Sequence, residues 1–408
     1  MSEFKEINNY LKNRYPKDVR VVVPKQAKLR GMVKFKESVK AGNGYYVAVT
    51  LGYEHGFSAG TGAFDLHGAV SSESGQAYIQ GQSMMLQSSI AYEAASRAGT
   101  KEQAIDQWFS EKVMPRVMSM DKRLEVLSWY GQEQKGTLSS VTLDSLTTFT
   151  VVLTSADFAE GIWVGMEGAP IDFFNGNTRV NTAPCYITSV DIDTRTIKGT
   201  NTSGELATLA ANDTIEYAKM KHATSGAYSE MLGISQWFSQ ATLFGISTTK
   251  SLWKPSTHPV GGALSLSACL SAVTKAVNKG LDTDVKLFIN HKPFVTLANT
   301  EAGLRRYNAD VKKAENGSQQ ITFYSVNGAI EIVPHAVIKT SHGFVLDEKR
   351  LCYIGSTDIT ASLPNMPEDA YFIVPAQGKA GTENRLFVDL AIFTEEPGLM
   401  VKLTGITA

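Results

Sequence analysis

Hydrophobic and polar positions divide the chain into stretches of different period, and the first strong helical period begins only near residue 100. Ile105, Trp108, Phe109, Val113, Val117, Met120, Leu124 and Leu127 recur at spacings of three and four. That spacing predicts one amphipathic helix over Thr100–Tyr130 with a single apolar face. Thr100 and Gln103 form a capping-box pair at its start. Glu102 and Asp106 fall in the first turns and Lys122 and Arg123 nearer the end, as the helix dipole prefers. Pro115 lies within this span, and the stripe runs on in phase beyond it, so a bend is expected and not a stop. Thirty residues at about 1.5 Å each span roughly 45 Å, which suits a strut.

Ahead of this helix the period is that of a strand. Tyr46, Ala48 and Thr50 alternate with Tyr45, Val47, Val49 and Leu51, and Ala77–Ile79 resumes the pattern. Gly56, Gly60, Gly62 and Gly68 interrupt the middle. A lone hairpin is marginal in water, so this one is expected to lie on another surface. Phe57, Phe64, Leu66, Tyr78, Ile79 and the Met84-Met85-Leu86 cluster are too apolar for a free linker. Further upstream, Phe4–Arg14 reads as a short helix ended near Pro16, and Val21–Val23 is too short to hold a fold.

Behind the helix, Phe149–Leu153, Gly161–Met166, Cys185–Ile192, Thr196–Ile197 and Thr214–Tyr217 read as short strands of a small β-barrel or sandwich. Asn175-Gly176-Asn177 and Asp193-Thr194-Arg195 supply turns. The last third is mixed. Leu266, Leu270, Val273 and Val277 give a helical face closed by Lys279 and Gly280. Val285–Ile289 reads as a buried strand, and Asn290 as the N-cap of a helix through Pro293 to Leu297. Asn327-Gly328 joins Ile321–Val326 to Ala329–Val333 as a hairpin. Phe344–Leu346, Leu351–Ile354, Tyr371–Val374, Leu386–Phe393 and Met400–Leu403 complete a β-rich tail.

Composition narrows the picture. At 408 residues there is room for two or three domains, and 19% charged residues is low, as for a chain that hides surface in an assembly. Residues 1–40 hold eleven Lys and Arg against four Asp and Glu. That local excess of +7 leaves −8 for the rest of a chain whose formal net charge is −1. A basic arm can grip an acidic neighbour or nucleic acid, and can equally be a solvated terminus. Cys185, Cys269 and Cys352 are far apart and form neither a disulfide framework nor paired metal ligands. No apolar signal segment and no membrane-length apolar run occurs, so a soluble protein of a reducing cytoplasm is expected.

No catalytic constellation is visible. The seven histidines are scattered, with no two on one helical face at i, i+4. Gly56-Phe57-Ser58-Ala59-Gly60 matches the spacing of an esterase nucleophile motif, but Thr61-Gly62-Ala63-Phe64 follows where a helix is required. No phosphate-binding loop or dinucleotide fingerprint is present. No catalytic, cofactor or metal site is expected.

Four stretches together resemble the major capsid proteins of tailed bacteriophages. They are the basic arm with the Gly-rich hairpin, the helix Thr100–Tyr130, the run Val285–Pro293, and Gly328–Pro334 leading into Gly343–Asp347 and Leu351–Ile354. The resemblance implies an α+β capsid fold. Its parts would be an N-terminal arm (1–44), an extended β-hairpin loop (45–88) and the spine helix of a peripheral domain (89–140). An inserted β-barrel-like domain (141–221), a return to the peripheral domain (222–261), an axial domain (262–380) and closing strands (381–408) would follow. It implies a structural subunit that assembles with many copies of itself into hexamers and pentamers of an icosahedral head enclosing double-stranded DNA. Partners would be a scaffolding protein, a portal, packaged DNA by non-specific contact, and a decoration protein, with no membrane. The place would be the virion, assembled in host cytoplasm. Inter-subunit contacts would fall on Tyr46, Phe57, Phe64 and Tyr78, and the spine core on Ile105, Trp108, Phe109, Val113, Val117, Leu124 and Leu127.

Two departures limit the resemblance. Residues 41–100 contain no lysine, so lysine–asparagine welding through the loop is not expected. The segment before the hairpin is too short for an internal scaffold, so a separate scaffolding protein or a removed segment is implied. A tail tube, sheath or decoration subunit fits the same composition, and a serine hydrolase using Ser58 is the remaining rival.

Overall fold

The computed structural model describes residues 27–36, 44–91, 114–145, 147–202, 206, 208–299, 321–325, 328–360, 373–375 and 381–407. The expected helix Phe4–Arg14, the Val21–Val23 run, the Thr100/Gln103 cap and Ile105, Trp108, Phe109 and Val113 lie outside the described residues.

The described chain opens with helix α1 (Lys28–Met32), strand β1 (Lys34–Phe35), the hairpin β2 (Tyr45–Thr50) and β3 (Ser74–Ile79), strand β4 (Gln82–Ala91) and helix α2 (Met114–Tyr130). Next come β5 (Gly136–Leu143), β6 (Thr148–Leu153), the helical turn α3 (Glu160–Trp163), β7 (Pro170–Asn175), β8 (Thr178–Arg179), β9 (Cys185–Asp191), β10 (Thr196–Asn201) and β11 (Thr214–Tyr217). Then follow α4 (Ile234–Trp237), the ribbon β12 (Thr242–Leu243) and β13 (Ile246–Ser247), β14 (Ser256–Ala263), α5 (Leu266–Val277), β15 (Val285–Ile289) and α6 (His291–Asn299). The chain finishes with β16 (Ile321–Ser325), β17 (Gly328–Pro334), β18 (Gly343–Leu346), β19 (Leu351–Thr360), β20 (Ile373–Pro375), β21 (Gly381–Thr394) and β22 (Val401–Thr407).

Three sheets carry the fold. In the six-stranded sheet the order is β14-β22-β18-β15-β17-β16, with β15 at its centre, parallel to β17 and antiparallel to β18. A second sheet is built on β21, which pairs with β4, β19 and β20, while β1 adds to β19. The third is a barrel. Strands β5-β6-β10-β9-β7 pair in turn, and β11 closes the ring by pairing with both β5 and β7. Arg195, at φ 57°, makes the tight β9–β10 turn.

The sheets cut across the sequence boundaries. Strand β19, inside the expected axial span, leaves for the sheet of β21, while β14 and β22 join the six-stranded sheet by parallel pairing with each other. Strand β4 pairs along β21 from Gln82 onward, so residues 82–88 belong to that sheet and not to the extended loop. The barrel begins at Gly136, earlier than its expected start. Gly161–Met166 is not a strand. Gly161 is the second residue of the helical turn α3, its N–H donates to the Ala336 carbonyl (2.9 Å), and a Cβ there would lie 2.8 Å from the Ala336 backbone.

Helix α2 departs from a one-sided stripe. Val117 is half-buried and Leu124 and Leu127 are buried, but from Leu124 to Tyr130 every residue is buried, Glu125 and Ser128 included. A charge inside a protein is tolerable only when its hydrogen bonds are replaced. Glu125 accepts four: from the Leu29 N–H (3.0 Å), the Arg30 N–H (2.9 Å), the Trp129 indole (3.1 Å) and His335 Nε2 (2.8 Å). His335 Nδ1 accepts the Val337 N–H (3.1 Å), so its ring proton sits on Nε2 and points at the carboxylate. Glu125 thereby caps α1 from another helix. Three cations in the described part of the arm are also engaged within the chain: Arg30 with Asp121 and Asp358, Lys28 with the Pro334 carbonyl, and Lys36 with Glu395.

A second charged knot sits where α2 meets the barrel. Buried Lys135 donates to Glu230 (2.8 Å) and to the Tyr130 and Glu133 carbonyls, with Glu216 3.7 Å away. One ammonium faces two carboxylates. Burial pushes the Glu216 carboxyl up to about 7, with the Glu230 charge adding and Lys135 opposing. Nearby, burial alone would raise the Glu133 carboxyl, but the Lys339 and Lys402 ammoniums outweigh it and hold it at about 2.

Two outcomes are expected. Glu125→Ala strands the two α1 amides, the indole and His335 in the interior, and should cost about 3–5 kcal/mol in chemical denaturation. A loss under about 1 kcal/mol would remove Glu125 as the hub. Because the Glu216 carboxyl is raised in the folded state, its contribution is fully present below pH 4.5 and is lost as pH rises through about 7. Stability measured from pH 5 to pH 8 should therefore fall more steeply in wild type than in Glu216→Gln, by on the order of 1–3 kcal/mol. Parallel curves would contradict this.

Candidate assembly surface

The early hairpin combines a base held by its own chain with an exposed tip. In β2 the odd positions Tyr45, Val47 and Val49 are half-buried, while Tyr46, Ala48 and Thr50 are exposed. Strand β3 matches them in register, Tyr45 opposite Ile79 and Thr50 opposite Ser74. Directly opposed residues share a face. Ala77 and Ile79 are therefore buried with the inward set, and Tyr46 and Tyr78 pack on the other face, their rings tilted by 42° with centroids 4.8 Å apart.

The seat of this base is the β12–β13 ribbon. Its two-residue turn, Phe244 and Gly245, has positive φ at both positions (51° and 81°), the geometry a tight hairpin requires. The Tyr78 N–H donates to the Phe244 carbonyl at 2.9 Å. Phe244 packs edge-on against Trp237 and Phe393, and Trp253 Nε1 donates to the Leu243 carbonyl (3.0 Å). Gly75 is needed here: a Cβ would come within 2.9 Å of Leu51 and 3.2 Å of Ile246. Lys250, just past the ribbon, pairs with Glu73.

Beyond Leu51 the hairpin leaves its seat. Tyr53 (77% exposed), Phe57 (83%), Phe64 (44%), Leu66 (80%) and Val70 (52%) present apolar surface to solvent. Between the limbs, the His55 N–H reaches the Val70 carbonyl (3.2 Å) and the His67 N–H donates to Ser58 Oγ (2.7 Å). Contiguous exposed apolar surface marks an interaction site more often than chance. Of the four residues expected at subunit contacts, Tyr46, Phe57 and Phe64 are exposed and Tyr78 is half-buried beneath Tyr46.

The groups that might carry chemistry have these surroundings. Ser58 Oγ accepts the His67 N–H within the tip. Burial pushes the Cys185 and Cys269 thiols up to about 12 and raises Cys352, which suppresses thiolate chemistry at neutral pH. A cleft of about 870 Å³ between β4, α2 and the barrel is lined by Met84, Met85, Met120, Met166 and Met220. On its wall, burial and the neighbouring Arg123 lower Lys122 to about 8, and its ammonium is bonded to the Val164 carbonyl. Among the described residues no group of three or more His, Cys, Asp or Glu side chains could hold a metal.

Comparison with known proteins adds the fold. No protein-family model and no curated protein matches the sequence. Solved structures do match over nearly the whole length. The capsid asymmetric unit of cyanophage A-1(L) superposes with a TM-score of 0.53 at 9% identity, covering 98% of each chain. The capsid of a native GTA particle gives 0.50 at 10% identity, covering 98% of this chain and 96% of the other. The chain has a phage-capsid fold. The α+β resemblance in the sequence is thus met at the level of fold.

The β12–β13 seat escaped the sequence reading. Its signal is Leu243-Phe244-Gly245-Ile246, where a bulky residue takes the first turn position in place of the usual Asn or Asp. Ile246→Ala should loosen the hairpin base and cost about 2–4 kcal/mol in thermal or chemical denaturation. Phe57→Ser with Leu66→Ser, on the exposed tip, should stay within about 0.5 kcal/mol of wild type. The reverse ranking would put the seat elsewhere.

Proposed function

We propose that this chain is the structural subunit of an icosahedral phage head, assembling into hexamers and pentamers around double-stranded DNA. One observation carries the reading beyond fold: an apolar, aromatic-bearing tip held clear of the subunit by a rigid base. Such a tip has no partner within its own chain among the described residues, and a neighbouring copy is the surface a lattice always supplies. Each apolar group covered there contributes about 25 cal/mol per Å². Weak contacts of this kind, repeated over a closed shell, sum to a durable particle. Tyr46, Phe57 and Phe64 are the residues assigned to that contact, with Tyr78 supporting Tyr46. Scaffolding, portal and decoration proteins are the further partners this role entails.

Deletion of residues 52–73, which spares the seated base, should leave a folded subunit that no longer forms shells. Electron microscopy of the purified protein, expressed with and without a scaffolding protein, reads the outcome. Normal-sized shells from the deletion would refute the bracing role, and helical tubes from the wild type would move the chain to a tail component.

A further inference from the structure

Residues 231–281 contain no Asp, no Glu and no Arg, yet hold Lys250, Lys254, Lys275, Lys279 and His258. Lys250 is neutralised by Glu73. The other three lysines converge. Lys275 lies in the last turn of α5, and Lys279 follows two residues after the helix ends. The Lys275 ammonium donates to the Thr257 carbonyl (2.6 Å) and that of Lys279 to the Lys254 carbonyl, tying both to the approach to β14. Among the described residues none of the three is ion-paired with a carboxylate. Their mutual repulsion is visible: burial and then the Lys254 and Lys275 charges lower Lys279, and burial and then Lys275 lower His258. The helix exposes Ser267, Ser271 and Thr274, and its C-cap Asn278 is exposed as well.

We infer that the C-terminal end of α5, with Lys279, Lys254 and the start of β14, seats the phosphate backbone of double-stranded DNA. The inference rests on the reading of the chain as a DNA-enclosing shell and names the surface that would meet the contents. Ammonium, hydroxyl and amide groups without a carboxylate are the set that contacts phosphate oxygens. Each ammonium that gives one proton to a carbonyl keeps two further donors. Lysine is a point charge, and with no arginine in the stretch there is no planar fork to read guanine edges. Binding is therefore independent of sequence and driven by counterion release. An acidic protein segment is the weaker match, since such segments are gripped by arginine clusters.

The test titrates the purified full chain into a fluorescent duplex of about 20 base pairs from 50 to 200 mM salt. Lys254→Gln with Lys275→Gln and Lys279→Gln should lower affinity and reduce the slope of log K against log salt by about 2–3. The corresponding triple Arg variant should keep the slope, and two duplexes of unrelated sequence should bind alike. Lys254→Gln alone, at an exposed position whose side chain bonds no carbonyl here, should remove about one unit of slope and stands in if the triple variant misfolds. An unchanged slope in these variants, with all binding lost on neutralising Lys5, Lys12 and Lys17 of the arm, overturns the assignment. Tighter binding of polyglutamate than of a duplex of equal charge also overturns it. Shell formation is scored separately by electron microscopy: shells from the triple Gln variant with weakened duplex binding support the proposal, whereas absence of shells from wild type counts against the capsid role itself.

Discussion

The buried carboxylate of Glu125 sets the terms for everything packed around helix α2. A carboxylate withdrawn from water needs several donors at once, and a vacancy in that shell costs kcal/mol. Here the donors come from α1 in the arm, from α2 itself and from His335 after β17. These are separated by 96 and 210 positions in sequence. Hydrogen bonds are directional where apolar packing is not. The arm and the β17–β18 connection thus meet on one carboxylate, at the part of α2 that is buried on all sides.

The rest of the α2 terminus repeats the device. The Tyr130 hydroxyl accepts the Lys339 N–H (2.8 Å), and the Lys339 ammonium lies 3.4 Å from both Glu133 and Asp157. Lys135 then carries the network into the barrel. Each sheet keeps an apolar interior, and the charged groups collect where the sheets meet. The two knots differ in sign. The Glu133 carboxyl is stabilised as an anion by its lysines, whereas Glu216 shares one lysine with a second carboxylate and resists ionisation. Junction polarity thus fixes geometry at both places, while only the first is favourable at neutral pH.

The sequence made some of this legible. Alternation in Tyr45–Leu51 and the apolar run Leu386–Phe393 report local pattern, and local pattern survives in the fold as strands. Asn290 caps its helix as read, its side chain accepting the Lys292 N–H (2.9 Å). What could not be read depends on partners distant in sequence. Gly161–Met166 has strand composition, yet the close approach of the Ala336 backbone turns it into a helical step. Leu351–Ile354 looks like a continuation of the sheet before it, and only its pairing with β21 places it elsewhere. In the candidate site the exposed residues Phe57 and Phe64 were legible as apolar groups in a Gly-rich setting. The seat was not, because Phe244-Gly245 does not announce a turn.

That seat changes the energetic argument for the hairpin. A ribbon with no anchor would have to be ordered entirely by its neighbour, at about 1–2 kcal/mol for every residue fixed. The base is already fixed by Leu51, Ala77, Ile79 and Gly75 against Ile246 and Phe244. Ordering on contact is then confined to the tip, and preorganisation of this kind raises affinity without adding contacts. The glycines follow the same division. Gly75 sits where close packing excludes a side chain, while Gly62, with φ 75° and open space around it, allows the tip to turn. A rigid base with an adjustable end lets one sequence meet neighbours at slightly different angles. In the proposed shell, closed from both hexamers and pentamers, each subunit would need that freedom.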